Sequence, residues 1–156
     1  TDRIETVDPG FGIELMARDV QRARAALGGD AEFICGDMRS TPFPPVDVVV
    51  ILDVLHYIDI AEQDAVLARV RAALPPGGRL LLRVGDAASP RGFRISQWVD
   101  AVVTFVRGHR VVPQYGRPLA GWIAQLESLG FAVHPEPMSA GTPFANVLLV
   151  AQVKAA

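Results

Sequence analysis

Asp53, His56, Tyr57 and Asp59 follow closely on Val48-Val49-Val50-Ile51-Leu52, an uninterrupted apolar run rich in β-branched residues. Such a run suits a parallel strand buried on both faces. Open α/β sheets hold their ligands just past the carboxyl ends of these strands, so the polar residues after Leu52 are placed for chemistry. A carboxylate there can accept from hydroxyls or amines, and a histidine, with an ordinary pKa near ~6.5, can act as a general base. His56 equally suits a role in orienting the loop, and Asp53 a cap at the strand–loop junction. Asp37 and Met38, after Cys35-Gly36, form a second such group. Asp37 also suits a plain turn and Met38 plain packing. Glu14 suits either ligand binding or a solvated position at a helix start, where the dipole favours an acid. Arg83 and Asp86, after the run Leu80 to Val84, suit either recognition of a carboxylate by Arg83 or a salt bridge to each other. His109, near Arg107 and Arg110, suits a substrate contact or a solvated surface.

The elements that would carry these residues alternate. Ile4 to Val7 is β-prone, and Asp8-Pro9-Gly10-Phe11-Gly12 is a cluster of turn formers. Met16, Val20, Ala23 and Leu27 recur with helical spacing before Gly28-Gly29, a left-handed stop. Ala31 to Cys35 reads as a strand in which Cys35 is expected to be buried and inert. Pro42, Pro44 and Pro45 make a stiff linker. Asp59 is spaced from Glu62 as in a capping box, opening a helix with a stripe of Val66, Leu67, Val70 and Leu74 that ends at Pro75-Pro76-Gly77-Gly78. Leu80 to Val84 is the next buried strand. A third helix carries Ile95, Trp98, Val102 and Phe105. A fourth starts at Pro118, buries Leu119, Trp122, Leu126 and Leu129, and stops at Gly130. Phe131 to His134 and Asn146 to Val153 close the chain as an antiparallel pair, since their connection is too short for a crossover helix. The expected fold class is α/β: a Rossmann-like, mostly parallel sheet with helices on both faces and an antiparallel C-terminal strand pair.

Composition narrows the function. The 156 residues are 50% apolar with a net charge of −2, enough for one core, and a single domain over residues 1–156 is expected. The bases are interspersed arginines, with Lys154 the one lysine, so no basic stripe suggests nucleic acid. No apolar run approaches the ~18 residues of a membrane span, and no leader pattern is evident, so a soluble cytoplasmic protein is expected. The single Cys35 excludes an internal disulfide and a cysteine-rich zinc site, and no metal is expected.

Four signatures together resemble the class I S-adenosylmethionine-dependent methyltransferases over roughly residues 12–153. They are Gly12-Ile13-Glu14 with Ala23-Arg24 in the following helix, Phe33-Ile34-Cys35-Gly36-Asp37-Met38, the stretch Asp47 to Asp59, and Leu74-Pro75-Pro76-Gly77-Gly78-Arg79. The resemblance implies S-adenosylmethionine as cofactor and methyl transfer to a small-molecule acceptor. Glu14 would grip the ribose, with Asp8 the alternative acid. Asp37 would reach the adenine amine, Met38 would pack on the ring, and Leu52 and Asp53 would line the methionine side. Tyr57, Arg83, Asp86 and His109 would face the acceptor under a lid built from residues 89–118. His56 would act as base only where the acceptor is a protonated hydroxyl or amine. A nicotinamide-dependent oxidoreductase is disfavoured because no G-x-G-x-x-G stands between a strand and a helix. The alternative reading is a non-catalytic, methyltransferase-like binding or assembly module.

One departure stands out. The family's glycine-rich loop is absent in intact form, and Asp8-Pro9-Gly10-Phe11-Gly12 is at best a fragment of it. Its first strand and following helix have no counterpart in the sequence. Val48 to Leu52 is then expected to have an unpaired edge. Residues missing near positions 8–14, a sheet completed by a partner strand or by Ile4 to Val7, and a rearranged fold each account for the gap.

Overall fold

A computed structural model describes residues 10–86, 115–138 and 146–155. They belong to two compact units, Thr1–Pro42 and Phe43–Ala156, each described by itself. The expected strand at Ile4 to Val7, the helix carrying Ile95 and Trp98, and most of the expected lid, including His109, lie outside the described residues.

In the first unit Gly10–Glu14 forms β1, Ala17–Leu27 forms α1 and Ala31–Cys35 forms β2. The two strands pair in parallel, from Gly10 opposite Ala31 to Glu14 opposite Cys35. This corrects the reading of Gly10-Phe11-Gly12 as a turn: the three residues are the first half of β1. The glycines suit close packing, since a Cβ at Gly12 would stand 2.6 Å from the Phe33 ring. Helix α1 buries Val20, whereas Met16 and Leu27 at the ends of its apolar series are exposed. It stops at Gly28, whose φ of 59° and ψ of −126° lie outside the left-handed helical region but in backbone space that glycine, lacking a Cβ, can enter. Cys35 is exposed, contrary to expectation: it is the last residue of β2 in a two-stranded sheet, and its Sγ donates to the Leu15 carbonyl at 3.6 Å.

In the second unit Val48–Leu52 forms β3, Ile60–Ala73 forms α2 and Arg79–Gly85 forms β4. Helix Leu119–Ser128, here α3, is followed by Phe131–Pro137 as β5 and Asn146–Val153 as β6. The sheet order is β3-β4-β6-β5. Strands β3 and β4 are parallel, and β6 lies antiparallel to both β4 and β5. The antiparallel ending follows the short connection. Strand β5 runs past His134 through Pro135 and Pro137, which an edge strand tolerates because their missing N–H groups face no neighbour.

The core of this unit comes from one stripe of α2, alternate residues of β4 and β6, and α3. Val66, Leu67, Val70 and Leu74 are buried as their spacing predicts, with Leu80, Leu82, Val84, Trp122, Leu126, Phe131, Leu149, Ala151 and Val153. Each Val, Leu or Phe side chain among them contributes about 1.5–3 kcal/mol on leaving water. Asp59 opens α2 with the expected capping box: its carboxylate accepts from the Glu62 amide at 2.8 Å, and the Glu62 carboxylate accepts from the Asp59 amide at 3.1 Å. Strand β3 is the exception to the expected burial. It is the sheet edge, with Val48, Val50 and Leu52 51%, 56% and 44% exposed. Among the described residues β3 has a strand neighbour, β4, on one side only, and the three exposed residues alternate along it and so share one face.

Candidate functional site

Apart from His109, which lies outside the described residues, the residues singled out in the sequence are at or just after the carboxyl ends of the parallel strands, one group in each unit. In the first unit Glu14 closes β1 and its carbonyl accepts from the Gly36 amide at 3.0 Å. That bond carries the chain out of β2 so that Asp37 lies at the same end of the pair as Glu14. One Glu14 oxygen, Oε1, accepts from the Met16 amide at 2.9 Å, serving the start of α1, whose cap residue Met16 makes no side-chain bond of its own. The Asp37 carboxylate folds over the turn that follows it. It accepts from the Arg39 amide at 2.9 Å and from the Arg39 guanidinium at 2.6–3.1 Å. The guanidinium hydrogen bonds, then the amide, hold its carboxyl below the ordinary 3.8 against the opposing effect of burial. Met38, half-buried, is the residue between the two partners.

In the second unit Leu52 ends β3 opposite Arg83 of β4. The ladder continues one residue further, where the Asp53 amide donates to the Arg83 carbonyl at 3.2 Å. Asp53 has a φ of 56°, the one non-glycine residue in the left-handed region among those described. Aspartate tolerates that conformation better than most residues, and the turn directs its carboxylate across to Arg83. Arg83 Nε donates to Asp53 Oδ2 at 2.8 Å, and Nη2 donates to the same oxygen. This pair raises the Arg83 pKa above its ordinary value. Arg83 therefore pairs with Asp53, not with Asp86. Asp86 instead accepts from the Leu119 amide at 2.9 Å, a bond that serves the otherwise uncapped first turn of α3.

His56 and Tyr57 are on a short helical turn, Leu55–Tyr57, directly after Asp53 and Val54. Their rings are 4.1 Å apart between centroids, with Tyr57 exposed and His56 half-buried. The His56 carbonyl accepts from the Tyr115 amide at 2.8 Å. Three further residues shape the surroundings. Arg39 occupies Asp37. Gln63 and Arg117 form a buried hydrogen-bonded knot beneath the turn. A polar residue on the apolar stripe of α2 was the available signal for Gln63, and a donor two residues after an aspartate the signal for Arg39. Nothing local marks Arg117.

The arrangement can do two things. The Glu14 and Asp37 carboxylates share one strand end, as suits a neutral ligand rich in hydroxyl and amine donors. The Asp53–Arg83 pair, the imidazole and the phenol share the other. Among the described residues no group of three or more His, Cys, Asp or Glu could hold a metal ion.

Residues 8–78 match the family model described as a methyltransferase domain. A SAM-dependent methyltransferase of Methanosarcina mazei superposes with a TM-score of 0.72 at 17% identity, over 94% of this chain and 82% of that one. Residues 8–78 are thus similar to a methyltransferase domain, and the fold is that of the S-adenosylmethionine-dependent methyltransferase structures. Mouse acetylserotonin O-methyltransferase is 45% identical over 60 residues, 38% of this chain and 15% of that protein. The mitomycin 7-O-methyltransferase structure superposes with a TM-score of 0.69 at 25% identity, over 94% of this chain and 42% of that one. The chain thus matches well under half the length of either of these two relatives. The methyltransferase match takes in β1 through α2, so it includes both carboxylates of the first unit and the whole β3 exit. No helix among the described residues is long and apolar enough to cross a membrane.

Proposed function

We propose that this methyltransferase domain transfers a methyl group from S-adenosylmethionine to a hydroxyl oxygen of a small molecule. The observation that carries the proposal is the methyltransferase match over residues 8–78, which includes the acids at the ends of β1 and β2. The oxygen acceptor is supported by the acetylserotonin O-methyltransferase and mitomycin 7-O-methyltransferase relatives.

The residues fit such a cofactor. Glu14 would accept from the ribose hydroxyls, since one of its oxygens already serves the Met16 amide and the carboxylate is held in place by it. Asp37 would accept from the adenine amine in place of part of its Arg39 contact, and Met38 would lie against the ring. Leu52 and Asp53 would line the methionine side. The cofactor supplies an activated methyl on a sulfonium, so the protein's work is chiefly alignment and exclusion of water. Tyr57, Arg83, Asp86 and His109 would face the acceptor, Arg83 holding an acceptor carboxylate where there is one. His56 would take the hydroxyl proton.

Calorimetric titration with S-adenosylhomocysteine, followed by transfer of labelled methyl from S-adenosylmethionine to a panel of phenols, tests the proposal. Saturable binding and label in the phenol are expected. No measurable heat at millimolar nucleoside would overturn it in favour of a non-catalytic binding module.

A further inference from the structure

Gln63 is fully buried on α2, yet it is the one polar side chain in a stripe that continues with Val66 and Val70. Its amide nitrogen lies 3.1 Å from the Leu55 carbonyl, 3.1 Å from the Ile58 carbonyl and 2.9 Å from the Tyr115 carbonyl. Its oxygen accepts from Arg117 Nε at 2.8 Å. With carbonyls on one side and a guanidinium on the other, the orientation of the amide is determined. Arg117 is fixed in turn by the Ile60 carbonyl at 2.8 Å, by Asp64 at 2.6 Å and by the Trp122 ring, whose centroid is 5.1 Å from its guanidinium carbon. The Tyr115 amide closes the loop by donating to the His56 carbonyl. The Leu55 carbonyl also accepts from the Ile58 amide at 3.2 Å, so the Gln63 donors matter most to the Ile58 and Tyr115 carbonyls, since buried backbone groups need partners.

We propose that Gln63 is a positioning residue, whose buried amide, locked by Arg117, fixes residues 55–58 against residues 115–117 and so sets how His56 and Tyr57 are presented at the exit of β3. The placement follows from these bonds alone. Its consequence for methyl transfer rests on the function proposed above. An apolar residue of similar size would fill the space but could donate to none of the three carbonyls. A glutamate would keep the Arg117 contact and lose the donors, which separates the lock from the clamp.

The test compares wild type with Gln63→Leu and Gln63→Glu by amide exchange and by the imidazole signals of histidine-labelled protein, with His56 assigned through His56→Gln. Exchange at Ile58 and Tyr115 should rise about tenfold in both variants, while Leu82 in β4 stays unchanged. With the Tyr57 ring centroid 4.1 Å away, the wild-type His56 signal is expected to be ring-shifted and, in the variants, to move toward that of an exposed histidine. S-adenosylhomocysteine affinity should change less than about threefold, because the acids proposed to hold it lie on other elements. Unchanged exchange and an unmoved His56 signal in Gln63→Glu would overturn the proposal. Should Gln63→Leu fail to fold, Gln63→Glu and Arg117→Gln carry the same comparison. If wild type binds no S-adenosylhomocysteine, the proposed function falls, and the exchange and imidazole data still decide the placement.

Discussion

The Asp37 carboxylate is held by Arg39, on the same atoms that the proposed function would offer to the adenine amine. Arg39 lowers its pKa below 3.8, mainly through the side-chain hydrogen bonds. A depressed carboxylate contributes stability that is complete above its unfolded value and disappears as pH falls through the folded one. Asp37→Asn is therefore expected to lower the melting temperature at pH 7 by the equivalent of about 0.5–1 kcal/mol, a magnitude held down by the exposure of Arg39. The difference from wild type should shrink below pH ~3.8. Melts of both proteins at pH 7 and pH 3 check this, and a gap that persists at pH 3 would assign the effect to something other than the charge. Arg39→Ala bears on the function: if Asp37 serves the adenine amine, removing its competitor leaves S-adenosylhomocysteine binding intact or tighter, as calorimetry would show. For His56, the base role predicts that His56→Gln lowers kcat by about 10²–10⁴-fold with a phenol acceptor. A smaller loss would mean that alignment alone suffices.

Among the elements, α2 makes the sharpest prediction. Its capping box satisfies amides at the helix start that would otherwise be left to water, so Asp59→Ala should cost about 1 kcal/mol in urea unfolding. The box also stands directly after the turn that bears His56 and Tyr57, so fraying of α2 would loosen Gln63 as well. The exit of β3 depends on a different device. Asp53 is held in the left-handed region by a short ladder extension and by Arg83. Asparagine keeps the tolerance for that backbone and loses the ion pair. Alanine loses both, so Asp53→Ala should destabilise more than Asp53→Asn.

At the scale of the molecule, cofactor binding would itself be a stability term. A ligand at 100 times its dissociation constant stabilises the native state by about 2.7 kcal/mol. S-adenosylhomocysteine is therefore expected to raise the melting temperature in a concentration-dependent way, and NADH is not. The reverse pattern would return the protein to the nicotinamide class. Much of the fold was legible because it is written in local chemistry. The bounds of β2, β3 and β6, the capping box of Asp59 and the stripe of α2 each follow from residues within one or two turns of one another. The antiparallel ending followed from loop length.

Other features depend on contacts that no local pattern records. Gly10-Phe11-Gly12 has the composition of a turn and becomes a strand because β2 offers it a ladder. Val48 to Leu52 has the composition of a doubly buried strand, yet among the described residues β3 is a sheet edge with one face exposed, and burial depends on what packs against it. The sequence by itself determined which residues are candidates for the chemistry, through their types and, for most of them, their positions after apolar runs. The tertiary structure decided their partners: Asp37 with Arg39, Arg83 with Asp53 rather than Asp86, and Gln63 with Arg117 and three carbonyls. The physical reason is that hydrogen bonds and ion pairs act over about 3 Å in space. The separations along the chain that they close here, from two residues to more than fifty, have no signature in residue order.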